Sequence, residues 1–302
     1  MISLRKNREI DKAEWDNNII STNSNPKPYN FSWFLDIIAP GWNALDLNIQ
    51  GCSFPLTLNK KYGLRYLATP IFMQQSSIVP TVADKKNTGT DCFSFINKKF
   101  RLVDIAVNNY SGAQGFRITE RINLYLPLIN KYKELWESYS SDCRRNIRLA
   151  REYRHRVDEE ISPSEILKLF RSNTGKYLRD VKENDYKKLE HLMRYCIDTR
   201  IGETYGVYIS GQLIYAVFVI NHANRLTLLF TATSKDSRNM RSGYLVTDTI
   251  IHKYSGMDYV LDFAGSSIPG VRSYFESFGS LEEKYYRLYN NRLPWPLHNL
   301  KD

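Results

Sequence analysis

Three closely spaced apolar runs in the second half of the chain constrain the possible fold most strongly. They cover residues 204–210, 213–221 and 225–233, and only short polar breaks separate them. Apolar runs of this length with turn residues between them are typical of neighbouring β-strands joined by hairpins. The elements predicted to follow are an arginine-containing loop at 234–244, a helix at 245–254, a strand at 259–263 and a helix at 271–279. This order of strands and helices indicates an α/β domain in this half of the chain.

The size and charge of the chain set further bounds. Its 302 residues are enough for two ordinary domains or one large one. The hydrophobic content of 42% and the charged content of 25% are those of a globular protein. The 42 lysines and arginines outnumber the 32 acidic residues, which gives a net charge of +10. This excess favours an anionic partner such as a nucleotide, nucleic acid or a phosphorylated precursor, and an ordinary soluble basic protein is the open alternative.

The cysteines, the N-terminus and the hydropathy exclude several classes of protein. The cysteines form no CxxC pair and no zinc-ligand spacing, so neither a disulfide framework nor a metal site is expected; they are Cys52, Cys92, Cys143 and Cys196. The N-terminus is too charged for a secretory signal. No apolar run of about 18 residues is present, so no integral membrane association is expected. The expected location is the reducing cytoplasm.

The first half of the chain also alternates strand and helix patterns. The predicted elements are a helix at 31–39, a strand at 42–49, strand-like pieces within 54–72, a polar break at 84–89, and strands at 100–108 and 116–127. Both halves therefore have a similar architecture of strands with interposed helices. We place the boundary near Asn130, which gives an N-terminal domain at 1–130 and a C-terminal domain at 131–302.

A two-sided helix is predicted at 133–156, at the start of the second domain. One stripe at spacings of three and four is apolar and consists of Trp136, Tyr139, Cys143, Ile147 and Ala150. A second stripe on the neighbouring side is basic and consists of Arg144, Arg148, Arg151 and His155. The apolar stripe can be buried while the basic stripe stays at the edge. There it either binds phosphate or is an ordinary solvated helix face.

Two further helices are predicted before the strands begin. Ser162 is the expected N-cap of the first helix, Glu165 completes its capping box, and the helix is expected to reach about Tyr177. Asp185 is the expected N-cap of the second helix, which is expected to reach about Thr199. Helices followed by strands again indicate a layered α/β unit.

Three segments of the second half resemble motifs of one enzyme family. RRNIRLA at 144–150 resembles the K-x-R-Y-N-I-R-x-A segment of the FemABX transferases, YVLDFAGS at 259–266 resembles their Y-x-F-G-G strand end, and VRSYFESFG at 271–279 resembles their closing F-K-x-G-F-G motif. The resemblance extends over most of residues 133–289 and more faintly over the first half. It implies an α/β (α+β) fold of two tandem GNAT-like acyltransferase domains, each a mixed central sheet flanked by helices. Members of this family add amino acids from aminoacyl-tRNA to peptidoglycan precursors.

The resemblance also implies a donor-binding loop. Residues 238–243 match part of the GNAT pyrophosphate loop, R/Q-x-x-G-x-G/A, and the residues expected to bind the donor are Arg238, Arg241, Gly243 and Tyr244. Such loops place backbone N–H groups at a helix N-terminus, where they point at phosphate. Arg241 stands where the pattern has its first glycine, and guanidinium groups can contact phosphate by bidentate hydrogen bonds. No tightly bound cofactor is expected, and the donor is left open between acyl-CoA as a co-substrate and aminoacyl-tRNA.

Three residues are candidates for catalysis. Asp104 lies where the family's R-x-D-P strand end carries an acid, Asp262 lies at the carboxyl end of an apolar strand, and Tyr274 lies in the closing motif. A carboxylate at a strand end can take a proton from an attacking amine when burial raises its pKa. The alternatives are a hydrogen-bonded structural role for each aspartate and an ordinary core position for the tyrosine. Phe275 stands where the family has a lysine that is credited with stabilising the charged intermediate.

Six further residues are candidates for binding substrate. Gln74 and Gln75 lie beside an apolar run, where their amides either orient a substrate carbonyl or cap a strand. The candidates for binding phosphate of the donor or of the acceptor are Arg144, Arg145, Arg148 and Arg151. A groove is predicted where strands 225–233 and 258–263 splay apart, reaching the basic helix.

These observations predict an N-acyltransferase. It would transfer an acyl or aminoacyl group from acyl-CoA or aminoacyl-tRNA to an amine of an anionic precursor, of the cell envelope or linked to a nucleotide. One alternative is a catalytically degenerate GNAT-fold module that binds an anionic nucleotide-linked ligand without turnover. Binding of RNA through the basic helix is another alternative, and it predicts an affinity that depends strongly on salt.

Overall fold

The computed structural model describes residues 2–47, 51–61, 63–80, 85–111, 113–178, 180–265 and 268–295. The helices in this part of the chain are α1 (Lys12–Ser21), α2 (Ser32–Ile38), α3 (Lys85–Lys99), α4 (Tyr132–Ser138), α5 (Ser141–Glu152), α6 (Pro163–Ser172), α7 (Glu183–Asp198), α8 (Lys235–Asn239), α9 (Ser242–Tyr254) and α10 (Pro269–Glu276). The strands are β1 (Ser3–Arg5), β2 (Asn43–Asp46), β3 (Ser53–Leu56), β4 (Leu58–Lys61), β5 (Leu64–Ala68), β6 (Leu102–Val107), β7 (Arg117–Pro127), β8 (Val157–Glu159), β9 (Gly202–Ile209), β10 (Gln212–His222), β11 (Arg225–Thr233), β12 (Val260–Asp262) and β13 (Leu281–Asn291). The predicted mixed α/β fold class is confirmed.

The chain divides into two compact units. The first unit consists of Met1–Ile122 and Lys284–Asp302, and the second consists of Asn123–Glu283. The strands β7 and β13 each continue from one unit into the other. The boundary near Asn130 that the sequence suggests stays a prediction about folding domains.

The first unit has its apolar core between strands and a helix. β1, β2 and β3 pair antiparallel in that order. β4 pairs antiparallel with β5, β5 pairs parallel with β6, and β6 pairs antiparallel with β13. The buried core of this unit includes Leu45, Phe54, Phe93, Val103 and Leu288. Because Leu288 lies on β13, the last strand of the chain completes a core that is otherwise built from the first half.

The second unit is a mixed sheet with helices on both faces. Its strand order is β7-β12-β11-β10-β9-β8, and β11 is parallel to β12 but antiparallel to β10. Successive residues of a strand point to opposite faces of the sheet. On one face, Phe230 contacts Phe170 of α6, with ring centroids 4.6 Å apart. On the other face, Thr231 lies close to Tyr215, whose ring packs against Gly243 of α9.

The strands predicted from the three apolar runs are confirmed as β9, β10 and β11. β10 and β11 are joined by Ala223 and Asn224, which both have positive φ, +49° and +58°. Two-residue hairpins favour this backbone because it matches the twist of the flanking strands. The predicted strand at 259–263 is also confirmed, although its ladder is limited to β12.

The single helix predicted at 133–156 is wrong. Two helices, α4 and α5, occupy this segment, and they are separated at Tyr139 and Ser140, whose backbone is extended. The hydroxyl of Ser140 accepts a hydrogen bond from the backbone N–H of Cys143 (3.1 Å), which caps α5. The apolar stripe concealed the break, because Tyr139 is buried although it no longer lies in a helix.

Two other helix boundaries differ from the prediction. Ser162 caps α6 as predicted, but the helix ends at Ser172 instead of near Tyr177, because the backbone leaves the helical conformation at the next residue. Asp185 lies within the first turn of α7, where its carboxylate accepts a hydrogen bond from the backbone N–H of Lys182 (2.9 Å). Lys182, and not Asp185, is therefore the N-cap residue of α7.

The polar break predicted at 84–89 is also wrong, because α3 begins at Lys85. Later turns of α3 bury Cys92, Phe93 and Ile96 in the core of the first unit. This packing outweighs the weak helix propensity of the asparagine, threonines and glycine at the start of the segment. Parts of three predicted features lie outside the described residues. They are residues 48 and 49 of the predicted strand at 42–49, residue 84 of the predicted break, and residue 266 of the YVLDFAGS motif.

Candidate active site

The ladder between the two parallel strands of the second unit is short. β11 and β12 pair only from Arg225 with Val260 to Thr227 with Asp262, and β11 then continues alone on that side to Thr233. Beyond this point the pairing of β11 with β10 is interrupted by a bulge that leaves Leu229 without a ladder partner. The ladder between β11 and β12 ends because β12 itself ends at Asp262, so the predicted splay of these strands and the groove reaching the basic helix stay predictions. In open α/β sheets, ligands bind outside the carboxyl ends of such strands.

The helix α9 begins after the end of β11. Its N-cap residue, Arg241, has a left-handed backbone with φ +58° and ψ 27°, at the position where the GNAT pattern has glycine. The N–H groups of a first helical turn lack acceptors inside the helix and carry the positive end of its dipole. Arg238 and Arg241 are exposed beside this turn, and one Nη of Arg241 donates to the backbone oxygen of Arg238 (2.8 Å). These groups form a site suited to phosphate.

The sequence suggested that the segment between β11 and α9 is a loop, but part of it is helical. Residues Lys235–Asn239 form the short helix α8, which Ser234 caps by accepting a hydrogen bond from the backbone N–H of Ser237 (3.1 Å). The cap places Arg238 in the last turn of α8, next to the start of α9. The Ser234 cap of α8 and the left-handed backbone of Arg241 therefore set the positions of both arginines of the predicted donor loop.

Hydroxyl groups from four elements meet beside the first turns of α9. Tyr274 of α10 and Thr247 of α9 are hydrogen-bonded (2.8 Å between oxygens), and the hydroxyl of Tyr215 on β10 lies close to both of them and to Thr231 on β11. A Cβ atom on Gly243 would lie 3.2 Å from the ring of Tyr215 and 3.3 Å from the hydroxyl oxygen of Tyr274. The glycine is therefore what lets α9 approach the two tyrosines this closely. Sequence reasoning identified Tyr274 and Gly243 but missed the other three residues.

The two tyrosines of this cluster are proton donors at neutral pH. Burial raises the pKa of Tyr215 to about 12. Burial, together with the nearby Tyr215, raises the pKa of Tyr274 well above its ordinary value. Because both hydroxyls stay protonated at neutral pH, neither group is suited to act as a base. Each can donate a hydrogen bond to an oxygen or sulfur that gains negative charge, and the proton follows when the receiving atom is the more basic of the two.

Aromatic side chains line the neighbourhood of Tyr274. Tyr244 lies edge-to-face with Tyr274, with ring centroids 4.7 Å apart. Phe275 stacks on Phe263, which directly follows β12, at 4.6 Å, and Phe278 is 5.4 Å from Tyr274. Phe275 stands where the family has a lysine, and its ring contributes packing instead of a charge.

Asp262 is fully buried and accepts three hydrogen bonds. The donors are Nη1 of Arg225 (2.7 Å), Nδ2 of Asn123 (3.0 Å) and the backbone N–H of Ala264 (2.8 Å). Ala264 itself has a left-handed backbone with φ +56°. The carboxylate therefore joins three strands and fixes the turn after β12. Its catalytic role stays a prediction.

Asp104 lies in the first unit and is engaged by an arginine. Its two carboxylate oxygens accept hydrogen bonds from Nε (2.6 Å) and Nη2 (3.0 Å) of Arg287 on β13. In the same unit, Nε2 of the buried Gln75 donates to Oε1 of Gln74 (2.6 Å). The predicted roles of these three side chains in catalysis and substrate binding stay predictions.

The four arginines of α5 differ in their polar contacts. Arg144 donates to the backbone oxygen of Glu137 at the end of α4 (3.1 Å), and Arg145 pairs with Asp142 (2.9 Å) on the exposed side of the helix. Arg148 is exposed, and within the described part of the chain it makes no ion pair or hydrogen bond. Of these arginines it is the most available for a phosphate.

The fourth arginine of α5, Arg151, binds a buried carboxylate that the sequence did not reveal. Asp248 of α9 accepts hydrogen bonds from Arg151 (2.7 Å), from the hydroxyl of Tyr132 (2.9 Å) and from the hydroxyl of Tyr139 (3.3 Å). Burial raises the pKa of Asp248, although these partners act in the opposite direction. This cluster joins α4, α5 and α9 and holds α9 in place behind its first turn.

The described residues show neither a metal cluster nor a membrane span. No group of three or more His, Cys, Asp or Glu among them is arranged to hold a metal ion. Among the described helices, none combines the length and the apolar character that crossing a membrane requires.

Comparison with known proteins identifies solved structures with a similar fold. No family model and no curated protein matches the sequence. Among solved structures, FemX is similar over 97% of this chain and 98% of its own, with 14% identity and a TM-score of 0.66. A protein of unknown function from Bacteroides thetaiotaomicron is similar over 96% of this chain and 100% of its own, with 12% identity and a TM-score of 0.59. A tandem GNAT protein from the clavulanic acid biosynthesis pathway is similar over 97% of this chain and 99% of its own, with 11% identity and a TM-score of 0.54.

These similarities extend over nearly the whole of each chain, so the protein has the tandem GNAT fold that its motifs predict. At identities of 14% and below, the comparisons establish the fold alone. The donor and the acceptor have to be argued from the site.

Proposed function

We propose that this protein is an N-acyltransferase that uses a phosphate-bearing acyl or aminoacyl donor. The observation that carries the proposal is that β11 continues past the end of its ladder with β12, with the N-terminus of α9 after β11. A strand that continues past its ladder partner exposes backbone groups to a ligand, and a helix N-terminus binds the phosphate of that ligand. The tandem GNAT fold supports the same class of reaction.

The reaction is direct attack of an amine on the activated carbonyl. The nitrogen lone pair forms the new C–N bond, and the carbonyl oxygen gains negative charge. The backbone of the bulge at Leu229, which has no ladder partner, supplies an N–H to that oxygen. When the intermediate collapses, the bond to the thioester sulfur or ester oxygen breaks, and Tyr274 donates a proton to this leaving group. Tyr274 then takes a proton back from solvent, and the amine releases one proton to solvent, so the protons balance.

Phosphate of the donor is held by the first turn of α9 with Arg238 and Arg241. Both guanidinium groups are exposed beside this turn, and bidentate arginine contacts to phosphate are among the strongest hydrogen bonds in proteins. Arg148, which has no other polar contact in the described structure, is a further phosphate contact. The acceptor in this proposal is an amine of an anionic precursor, in keeping with the net charge of +10.

The direct test is titration of CoA, acetyl-CoA and an aminoacylated tRNA into the protein by calorimetry, combined with a transfer assay. The variant Arg238→Ala/Arg241→Ala should weaken donor binding about tenfold or more, because two charge-assisted contacts are lost. Arg194→Ala is the matched control, since Arg194 is an exposed arginine on α7 that pairs with Glu190. Equal affinity of all three proteins for every donor would contradict the proposal.

The second candidate function, a binding module without turnover, is favoured by two positions. Arg241 replaces a glycine of the donor loop, and Phe275 replaces the lysine of the closing motif. The module predicts that a nucleotide-linked ligand binds, that Arg238→Ala/Arg241→Ala removes the binding, and that no donor is consumed. Turnover of any donor that depends on Tyr274 would exclude it.

A further inference from the structure

The first unit contains a small cavity whose walls differ in chemistry. The cavity has a volume of about 240 Å³ and lies between α1 and the strands β1, β2 and β3. Its inner surface includes Trp15, Leu47, Cys52 and Val79, which are all buried. Ligand sites usually combine such an apolar surface with a few polar groups that fix orientation. A volume of this size suits a short organic molecule.

The charged groups around the cavity are mostly acidic. Asp46 is neutralised by Arg5, whose Nη2 lies 2.8 Å from its carboxylate, and Ser53 donates to the same oxygen (2.6 Å). Asp11 and Glu14 remain on the α1 side, both exposed to solvent. Asp11 caps α1 by accepting from the backbone N–H of Glu14 (3.0 Å), and within the described residues the Glu14 carboxylate has no ion-pair partner.

We propose that this cavity binds an alkylamine: the aliphatic part lies against Trp15, Leu47 and Val79, and the ammonium group lies between Asp11 and Glu14. Two carboxylates that no cation neutralises attract a positive charge, and the apolar wall favours an aliphatic chain over a hydrated metal ion. The protein as a whole carries a charge of +10. A cation therefore binds here against the overall field and needs these local carboxylates. This site is independent of the proposed transferase activity.

The test uses 1-aminopentane as the probe and 1-pentanol and pentanoate as its neutral and anionic counterparts. Binding is followed by NMR, from the shift of the Trp15 indole N–H, which donates to the backbone oxygen of Asn30 at 2.8 Å. The amine should cause a saturable shift, and the alcohol and the acid should bind at least about tenfold more weakly, which corresponds to about 1.4 kcal/mol. Equal binding of the three compounds would overturn the proposal.

Variants separate this site from general attraction of a cation to the surface. Glu14→Gln removes one carboxylate, and Asp11→Asn removes the other while keeping an acceptor for the helix cap. Each should weaken binding of 1-aminopentane several-fold, and Asn18→Trp, which fills the cavity without changing charge, should abolish it. Glu134→Gln, at an exposed position on α4, is the matched control. A loss in the control as large as in Glu14→Gln, or unchanged binding in Asn18→Trp, would overturn the proposal.

Discussion

Arg241 has a strained backbone conformation and a side chain that we propose binds phosphate. A glycine at this position would relieve the strain but would lose the side chain. The left-handed backbone of Arg241, with φ +58°, costs a non-glycine residue roughly 1–2 kcal/mol. Arg241→Gly relieves this strain but makes the unfolded chain more flexible, at a cost of roughly 0.5–1 kcal/mol. We expect its free energy of unfolding in urea to stay within about 1 kcal/mol of the original, whereas its affinity for a phosphate-bearing donor falls several-fold. Arg241→Ala keeps the strain and should be the less stable of the two variants; the reverse order would contradict the assignment of strain.

Tyr274 is the residue on which the chemical step depends in our proposal. Tyr274→Phe removes the proton donor but keeps the ring that packs against Tyr244 and Phe278. We expect kcat to fall about a hundredfold with little change in KM, the usual size of a general-acid effect. Tyr244→Phe is the control, since its hydroxyl lies outside the cluster of Tyr215, Thr247 and Tyr274. Equal losses in both variants would argue against proton donation by Tyr274.

The site residues that the sequence could predict are those marked by a local pattern. Tyr274 and Gly243 lie in motifs, and Asp262 lies at the end of an apolar run. Tyr215 and Thr247 could not be predicted in the same way, because they meet only through the packing of α9 on the sheet. The arginine partner of Asp104 is 183 residues away in the chain, so no spacing in the sequence reveals that ion pair.

At the scale of elements, α9 is fixed to α4 and α5 through Asp248. The pKa of this carboxyl is raised in the folded chain, mainly by burial, from an ordinary value of 3.8. The folded state then binds more protons than the unfolded state as pH rises from that value through the folded-state pKa. The contribution of Asp248 to stability is therefore complete at low pH and is lost over this range.

The variant Asp248→Asn tests whether the contribution of Asp248 to stability falls as pH rises. The difference in free energy of unfolding between the original protein and Asp248→Asn should shrink as pH rises from about 4 to about 7, because only the original titrates. Urea denaturation at several pH values measures it, and Glu134→Gln on the exposed surface of α4 is the control. A difference that grows with pH would mean that the ion pair with Arg151 outweighs the burial.

The elements themselves were predictable where their pattern is local. β9, β10 and β11 follow from alternating apolar runs and turn residues, and α6 follows from the cap at Ser162. The break between α4 and α5 was missed, although Ser140 carries a cap signal, because the buried Tyr139 continues the apolar spacing across it. α3 was missed because its first turn has weak helix propensity and core packing stabilises the rest.

At the scale of the whole molecule, the two compact units are not consecutive in the chain. Residues from Lys284 onward belong to the first unit, where β13 pairs with β6 from Tyr286 with Val107 to Asn291 with Leu102. Local patterns indicate strands on either side of a boundary, but they do not show that a strand returns from the C-terminus. The position of β13 therefore bears directly on whether residues 1–130 can fold alone.

A chain that ends at residue 283 should lose the structure of the first unit. It lacks the buried Leu288 and the partner strand of β6, and Leu288→Ala alone should cost about 2–5 kcal/mol of stability. We expect hydrogen exchange of the β6 amides to become fast in the shortened chain and in a fragment of residues 1–130. A chain that ends at residue 295 keeps β13 and is the matched control. Native protection of β6 in the 1–130 fragment would instead support a folding domain that ends near Asn130, and β13 would then be an addition to that domain.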